Sequence, residues 1–193
     1  WRYWNSSRIE AASTAQTLQQ QMLAAAQRLQ GNPDDKTANT DLQRLGRQLV
    51  DEYGNTPYGA DAALLLARRA VESGNLGEAE KQLRWVLEQG PRADTEVLVQ
   101  TRLARVLAAG GKHDEALTLL AGIKAEGVTP LVDEIRGDIL LLKGDRAKAA
   151  EAYRAADAAL AERDEVRPVL ELKLADVGLE AAKRKTATEE AQN

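Results

Sequence analysis

The chain has 193 residues, a formal net charge of −4 and 44% hydrophobic residues, with no cysteine and no phenylalanine. Lack of cysteine removes disulfides, thiol catalysis and thiolate metal sites together, and fits a reducing or an oxidising compartment equally. Charges of both signs are spread along the chain, so no concentrated basic face points to nucleic acid, and no apolar run approaches the roughly 18 residues that a membrane span needs.

In chain order, residues 1–4 form a separate segment. Trp1-Arg2-Tyr3-Trp4 sets aromatics and a cation side by side, a composition that gathers at membrane–water interfaces. It reads as a juxtamembrane segment with an anchor upstream; the alternative is aromatics packed on the first helix. Residues 5–56 read as N-terminal helices. In the first, about 5 to 30, Ala11, Ala15, Leu18, Met22, Ala25 and Leu29 step alternately by four and three, as one stripe on a helix. That stripe either docks on the body of the domain or pairs with a helix of another protein or a second copy. Gly31-Asn32-Pro33-Asp34-Asp35 breaks it, and a second helix covers about 39 to 53. Thr56-Pro57 has the form of an N-cap followed by Pro in the first turn.

Residues 57–162 carry an internal repeat. Ala67, Ala70, Gly74, Ala79, Leu83 and Val86 recur at the same spacing as Ala104, Leu107, Gly111, Ala116, Leu120 and Ile123, and as Gly137, Leu140, Gly144, Ala149, Tyr153 and Ala156. A period of about 34 residues is the signature of stacked helical hairpins. The glycines fall where a first helix should stop, because Gly tolerates the positive φ of a helix C-cap. The alanines five residues later are small enough for a second helix to approach closely. The hairpins are predicted at 57–73 with 76–89, 93–109 with 113–125, and 130–142 with 146–162. Residues 163–183 read as a capping helix, with Leu170, Leu174, Val177 and Ala181 on its apolar face. Residues 184–193 have almost no apolar content and read as a disordered tail. Neither an alternating strand pattern nor its turn signals occur, so the fold class is all-α.

No catalytic, cofactor or metal site is expected. His113 is the sole histidine, whereas a triad or a zinc site needs further imidazoles or thiolates. Gly110-Gly111-Lys112 lacks the spacing of a phosphate loop and reads as a hairpin turn. Trp85 lies between inward positions and is expected to pack on the following hairpin; exposed, it would be an anchor for a partner.

The spacing resembles the tetratricopeptide repeat, in a divergent form, since the tryptophan and tyrosine usual on its first helix are absent from all copies. The fold expected is a tetratricopeptide-repeat-like right-handed superhelix of three helical hairpins, with N-terminal helices and a C-terminal capping helix. In such a stack the first helix of each hairpin lines the concave face. Leu64, Arg68, Thr101, Arg105, Glu134 and Asp138 are then the candidate partner-binding residues, in two rows. Alternatively Arg105 and Asp138 pair with each other across the repeat interface.

A closer resemblance lies in Trp1-Arg2-Tyr3-Trp4-Asn5-Ser6, Asn55-Thr56-Pro57-Tyr58-Gly59-Ala60, Leu103-Ala104-Arg105-Val106, Ile123-Lys124-Ala125-Glu126-Gly127 and the stretch from Arg136 to Asp145. These are similar in order and spacing to the YfgM family, ancillary subunits of the bacterial SecYEG translocon. The resemblance implies an inner-membrane protein with this domain in the periplasm, tethered by an upstream anchor absent from this chain. It also implies partnership with SecYEG and the periplasmic chaperone PpiD, and a chaperone or chaperone-recruiting role toward unfolded secretory clients. The alternative is a structural adaptor in envelope-complex assembly that does not touch clients.

Overall fold

The computed structural model describes residues 2–125 and 127–182, with side chains from residue 10 onward. The aromatic opening and the tail from residue 184 therefore lie outside the described side chains. The described residues form nine α-helices and no strand, in two compact units divided between Arg92 and Ala93.

The first unit holds α1 (Arg2–Gly31), α2 (Lys36–Tyr53), α3 (Pro57–Glu72) and α4 (Leu76–Glu88). Of the α1 stripe, Ala15, Met22, Ala25 and Leu29 are buried against α2 and α3, so the stripe docks on the body of its own unit. Gly46 of α2 leaves no room for a side chain between its neighbours: a Cβ there would stand 2.7 Å from Met22 Cε of α1 and 2.8 Å from Leu66 Cδ2 of α3. The α1–α2 turn is fixed by Asp35, whose carboxylate accepts from Ala38 N at 2.8 Å and from the Arg28 guanidinium at 3.0 Å. These contacts hold its carboxyl below the usual carboxylate range, the Ala38 amide most of all. Helix α2 thus starts at Lys36, three residues earlier than its apolar pattern suggests, because the cap and not the first apolar residue sets a helix start. Thr56 precedes Pro57 as the N-cap of α3, but its hydroxyl donates back to Tyr53 O at 2.6 Å instead of accepting from the helix.

The second unit holds α5 (Ala93–Ala109), α6 (His113–Ala121), α7 (Thr129–Leu142), α8 (Arg146–Ala161) and α9 (Pro168–Asp176). The three repeated turns are one structure. Gly74, Gly111 and Gly144 have φ of 74°, 79° and 88°. The next residue's N–H returns to the carbonyl four before the glycine: Asn75 to Ala70 at 2.8 Å, Lys112 to Leu107 at 2.8 Å and Asp145 to Leu140 at 2.9 Å. Gly110-Gly111-Lys112 is thus the turn its spacing suggested. Beyond each turn Ala79, Ala116 and Ala149 are fully covered, each at 0% exposure, wedged where the second helix crosses the first. At the third crossing Gly137 lies against the Tyr153 ring. Helix α6 stops at Ala121 and leaves Ile123 half-buried beyond it. Helix α9 is shorter than the predicted 163–183 cap. It ends at Asp176, and Gly178 at φ 84° turns the chain away from the helical path.

Candidate functional site

Among the described residues no group of histidine, cysteine or acidic side chains could hold a metal, and no helix is long and apolar enough to cross a membrane. His113 is half-buried at the start of α6. The candidate sites are grooves between helices.

In the first unit Leu64 is half-buried and Arg68 exposed. Arg68 and Glu72 pair along α3 at 3.2 Å on the wall of a pocket of about 340 Å³ whose apolar floor includes Ala26, Leu29, Leu42 and Leu65. Arg69 ties this wall to the neighbouring hairpin. Its Nε donates to Asn39 Oδ1 at 3.0 Å and its Nη2 to Pro33 O at 3.3 Å. The result is an apolar trough with an ion pair at its rim.

In the second unit the predicted rows divide. Arg105 is exposed. Thr101 is buried at 2% exposure, its hydroxyl donating to Leu98 O at 2.9 Å, so it presents no groove surface. Glu134 is likewise buried at 2%; its Oε1 accepts from Lys173 Nζ at 2.7 Å, and Arg167 lies 3.0 Å from Oε2. Asp138 is half-buried and accepts from the Tyr153 hydroxyl at 2.9 Å and from Lys173 Nζ at 2.8 Å. Among the described residues Asp138 therefore pairs with Lys173 and not with Arg105. Burial, joined by the Asp138 contact, pushes the Tyr153 phenol well above its ordinary pKa and keeps it a neutral donor. For Glu134 and Asp138 the cause is α9. It packs on α8, and Lys173 together with the N-cap residue Arg167 reaches across to the carboxylates of α7.

Trp85 also departs from its expected place. It packs backward within the first unit, its ring 2.9 Å from where a Cβ on Gly54 would sit. It is half-buried and lines a second groove, of about 650 Å³, between α2 and α4. Arg47, Asp51, Lys81 and Glu88 ring this groove. Gln82, 6% exposed, donates to Glu78 Oε1 at 2.8 Å, while its buried Oε1 accepts nothing. The sequence repeat does not mark this groove, because α2, which supplies one wall, lies outside the repeated register.

Comparison with known proteins places these features in a family. A family model described as a tetratricopeptide repeat-like domain matches residues 1–179. The "Ancillary SecYEG translocon subunit" of Escherichia coli (strain K12) is 35% identical over 155 residues, covering 80% of this chain and 70% of that protein. The chain belongs to the YfgM family of ancillary SecYEG translocon subunits. A relative of the same name from Haemophilus influenzae is 26% identical over 81% of this chain and 72% of its own length. Among solved structures, TPR-like repeats of a Podosopora anserina protein superpose with a TM-score of 0.65 over 84% of this chain and 85% of theirs. At 21% identity that likeness speaks for the fold alone. Two departures that the repeats showed in sequence, the missing tryptophan and tyrosine, are thus accommodated without loss of the helical hairpins.

Proposed function

We propose that this YfgM-family chain is a non-catalytic protein–protein interaction module that serves secretory protein translocation at the SecYEG translocon, on the periplasmic side of the inner membrane. The observation that carries this reading is the similarity to the Escherichia coli ancillary SecYEG translocon subunit along 80% of the chain. The trough of the first unit, with its apolar floor and charged rim, supports it. The work suited to such surfaces is weak, repeated contact. A tether near the translocon exit raises the effective concentration of each groove, so that low affinity suffices. In this reading the domain acts as a chaperone, or recruits one such as PpiD, toward unfolded secretory clients. Arg68 on the rim of the trough and Arg105, exposed in the second unit, are the places where a client or partner is gripped.

Site-specific photocrosslinking in cells from positions 68 and 105 tests the reading. Adducts with labelled nascent secretory chains are expected. Adducts with folded envelope subunits alone would replace it with the adaptor reading, in which the chain organises a complex without touching clients.

A further inference from the structure

Helix α9 is built as the first helix of one more hairpin. Its terminal turn repeats the turn of the earlier copies: Gly178 has φ 84° and Leu179 N returns to Leu174 O at 2.8 Å, as Gly144 has φ 88° and Asp145 N returns to Leu140 O at 2.9 Å. Counted back from that glycine, the same register positions can be compared. In α7 the residues ten and six before the turn glycine are Glu134 and Asp138, and they receive Lys173 and Arg167 from α9, the next rung of the stack. In α9 those positions are Pro168 and Leu172. Both are exposed, Leu172 at 71%, and Val169 and Val166 beside them are exposed at 56% and 53%. The position that joins one rung to the next is therefore charged and filled in α7, and apolar and uncovered in α9.

Charge says what can cover it. Lys173 and Arg167 are drawn inward to Glu134, and Arg146 is spent on the Asp176 carbonyl. The carboxylates Glu171, Asp176 and Glu180 remain on the exposed side. A second copy of this helix laid on the first would set these carboxylates against each other, which opposes self-pairing.

We infer that α9 docks an amphipathic helix of another protein as the next rung, its apolar stripe on Leu172 and Val169 and its flanks bearing lysine or arginine. A rung mate of this kind matches helix-in-groove recognition, with anchors three and four residues apart. The inference deepens the reading of the chain as an interaction module and rests on it.

The test uses the whole chain and a synthetic leucine-striped helical peptide flanked by lysines, followed by fluorescence anisotropy. Saturable binding is expected, weakened by ~10-fold or more in Leu172→Ser and again in Leu172→Glu, with circular dichroism unchanged because the side chain is exposed. The charge variant is decisive, since added negative charge alone would strengthen a merely electrostatic association with lysine. Binding that is unchanged or tighter in Leu172→Glu overturns the inference. So does a concentration-dependent dimer of the unmodified chain that Leu172→Ser abolishes, which would make a second copy the occupant. If α9 fails while crosslinks from position 68 to nascent chains persist, this face alone is withdrawn; loss of those crosslinks refutes the underlying function instead.

Discussion

Tyr153 fills the space that any side chain at position 137 would claim: a Cβ on Gly137 would stand 2.3 Å from Tyr153 Cε1 and 2.5 Å from Cδ1. The ring is 1% exposed and cannot retreat without breaking its hydroxyl bond to Asp138. Gly137→Ala is therefore expected to destabilise the second unit by about 1–3 kcal/mol through overpacking, and Gly137→Leu by more. Chemical denaturation measures it. An unchanged midpoint for Gly137→Leu would mean that α7 and α8 do not cross there.

Lys173 serves two carboxylates from one ammonium. Its replacement by Met keeps the stem but leaves the buried Glu134 with Arg167 as its remaining cation. A loss of about 1–3 kcal/mol is expected for a buried charged acceptor deprived of a donor. Faster proteolysis within 163–176 should accompany it, since these contacts tie α9 to α7. Glu134→Gln in the Lys173→Met background should recover part of the loss, because a neutral amide is cheaper to leave buried.

Trp85→Ala should destabilise the first unit by roughly 2 kcal/mol, less than a fully buried aromatic loses, because the ring is half-buried. Its fluorescence gives a second readout. Gly54→Ala drives a methyl to within 2.6 Å of Val50 O and 2.9 Å of the ring, so stability should fall and the Trp85 emission should shift with it.

Two aspartates titrate with opposite consequence. Asp35 is held below the carboxylate range by the Ala38 amide and Arg28, so it binds protons more weakly folded than unfolded. Its stabilisation is present above the ordinary carboxylate value and lost as pH falls through the lowered one. Asp133 is buried and its carboxyl is pushed up by that burial, against the pull of Arg136 at 2.7 Å. It binds protons more tightly folded than unfolded, so stability declines as pH rises from its ordinary value, 3.8, through the raised one. Asp133→Asn should remove that decline. Denaturation midpoints of the two proteins, compared across acid pH, should converge at low pH and separate as pH rises.

The repeat was legible in the sequence because it is written in the backbone. Gly74, Gly111 and Gly144 mark positive φ, and Ala79, Ala116 and Ala149 mark crossings, both consequences of chain geometry within one hairpin. The α1–α2 hairpin was less visible, since its turn is capped by Asp35 instead of a left-handed glycine. The candidate site was legible only in part. Arg68 and Arg105 are exposed, as their register requires, whereas Thr101 and Glu134 are covered. The fate of Glu134 depends on a neighbour distant in sequence, since Lys173 is 39 residues away. Trp85 misled for the same reason, since periodicity names the face of a helix but not which neighbour meets it. The exposed side of α9 is not marked in the sequence, because Leu172 falls between the polar residues Glu171 and Lys173.

The central claim, that the trough beside α3 is a contact surface for proteins at the translocon, is tested most directly by scanning a photoreactive residue along 64–72 in cells. The account predicts adducts at positions 65, 68 and 72, which line the trough, and little at Val71, which is 46% exposed but does not line it. Even yields along the helix, or a maximum at position 71, would contradict it.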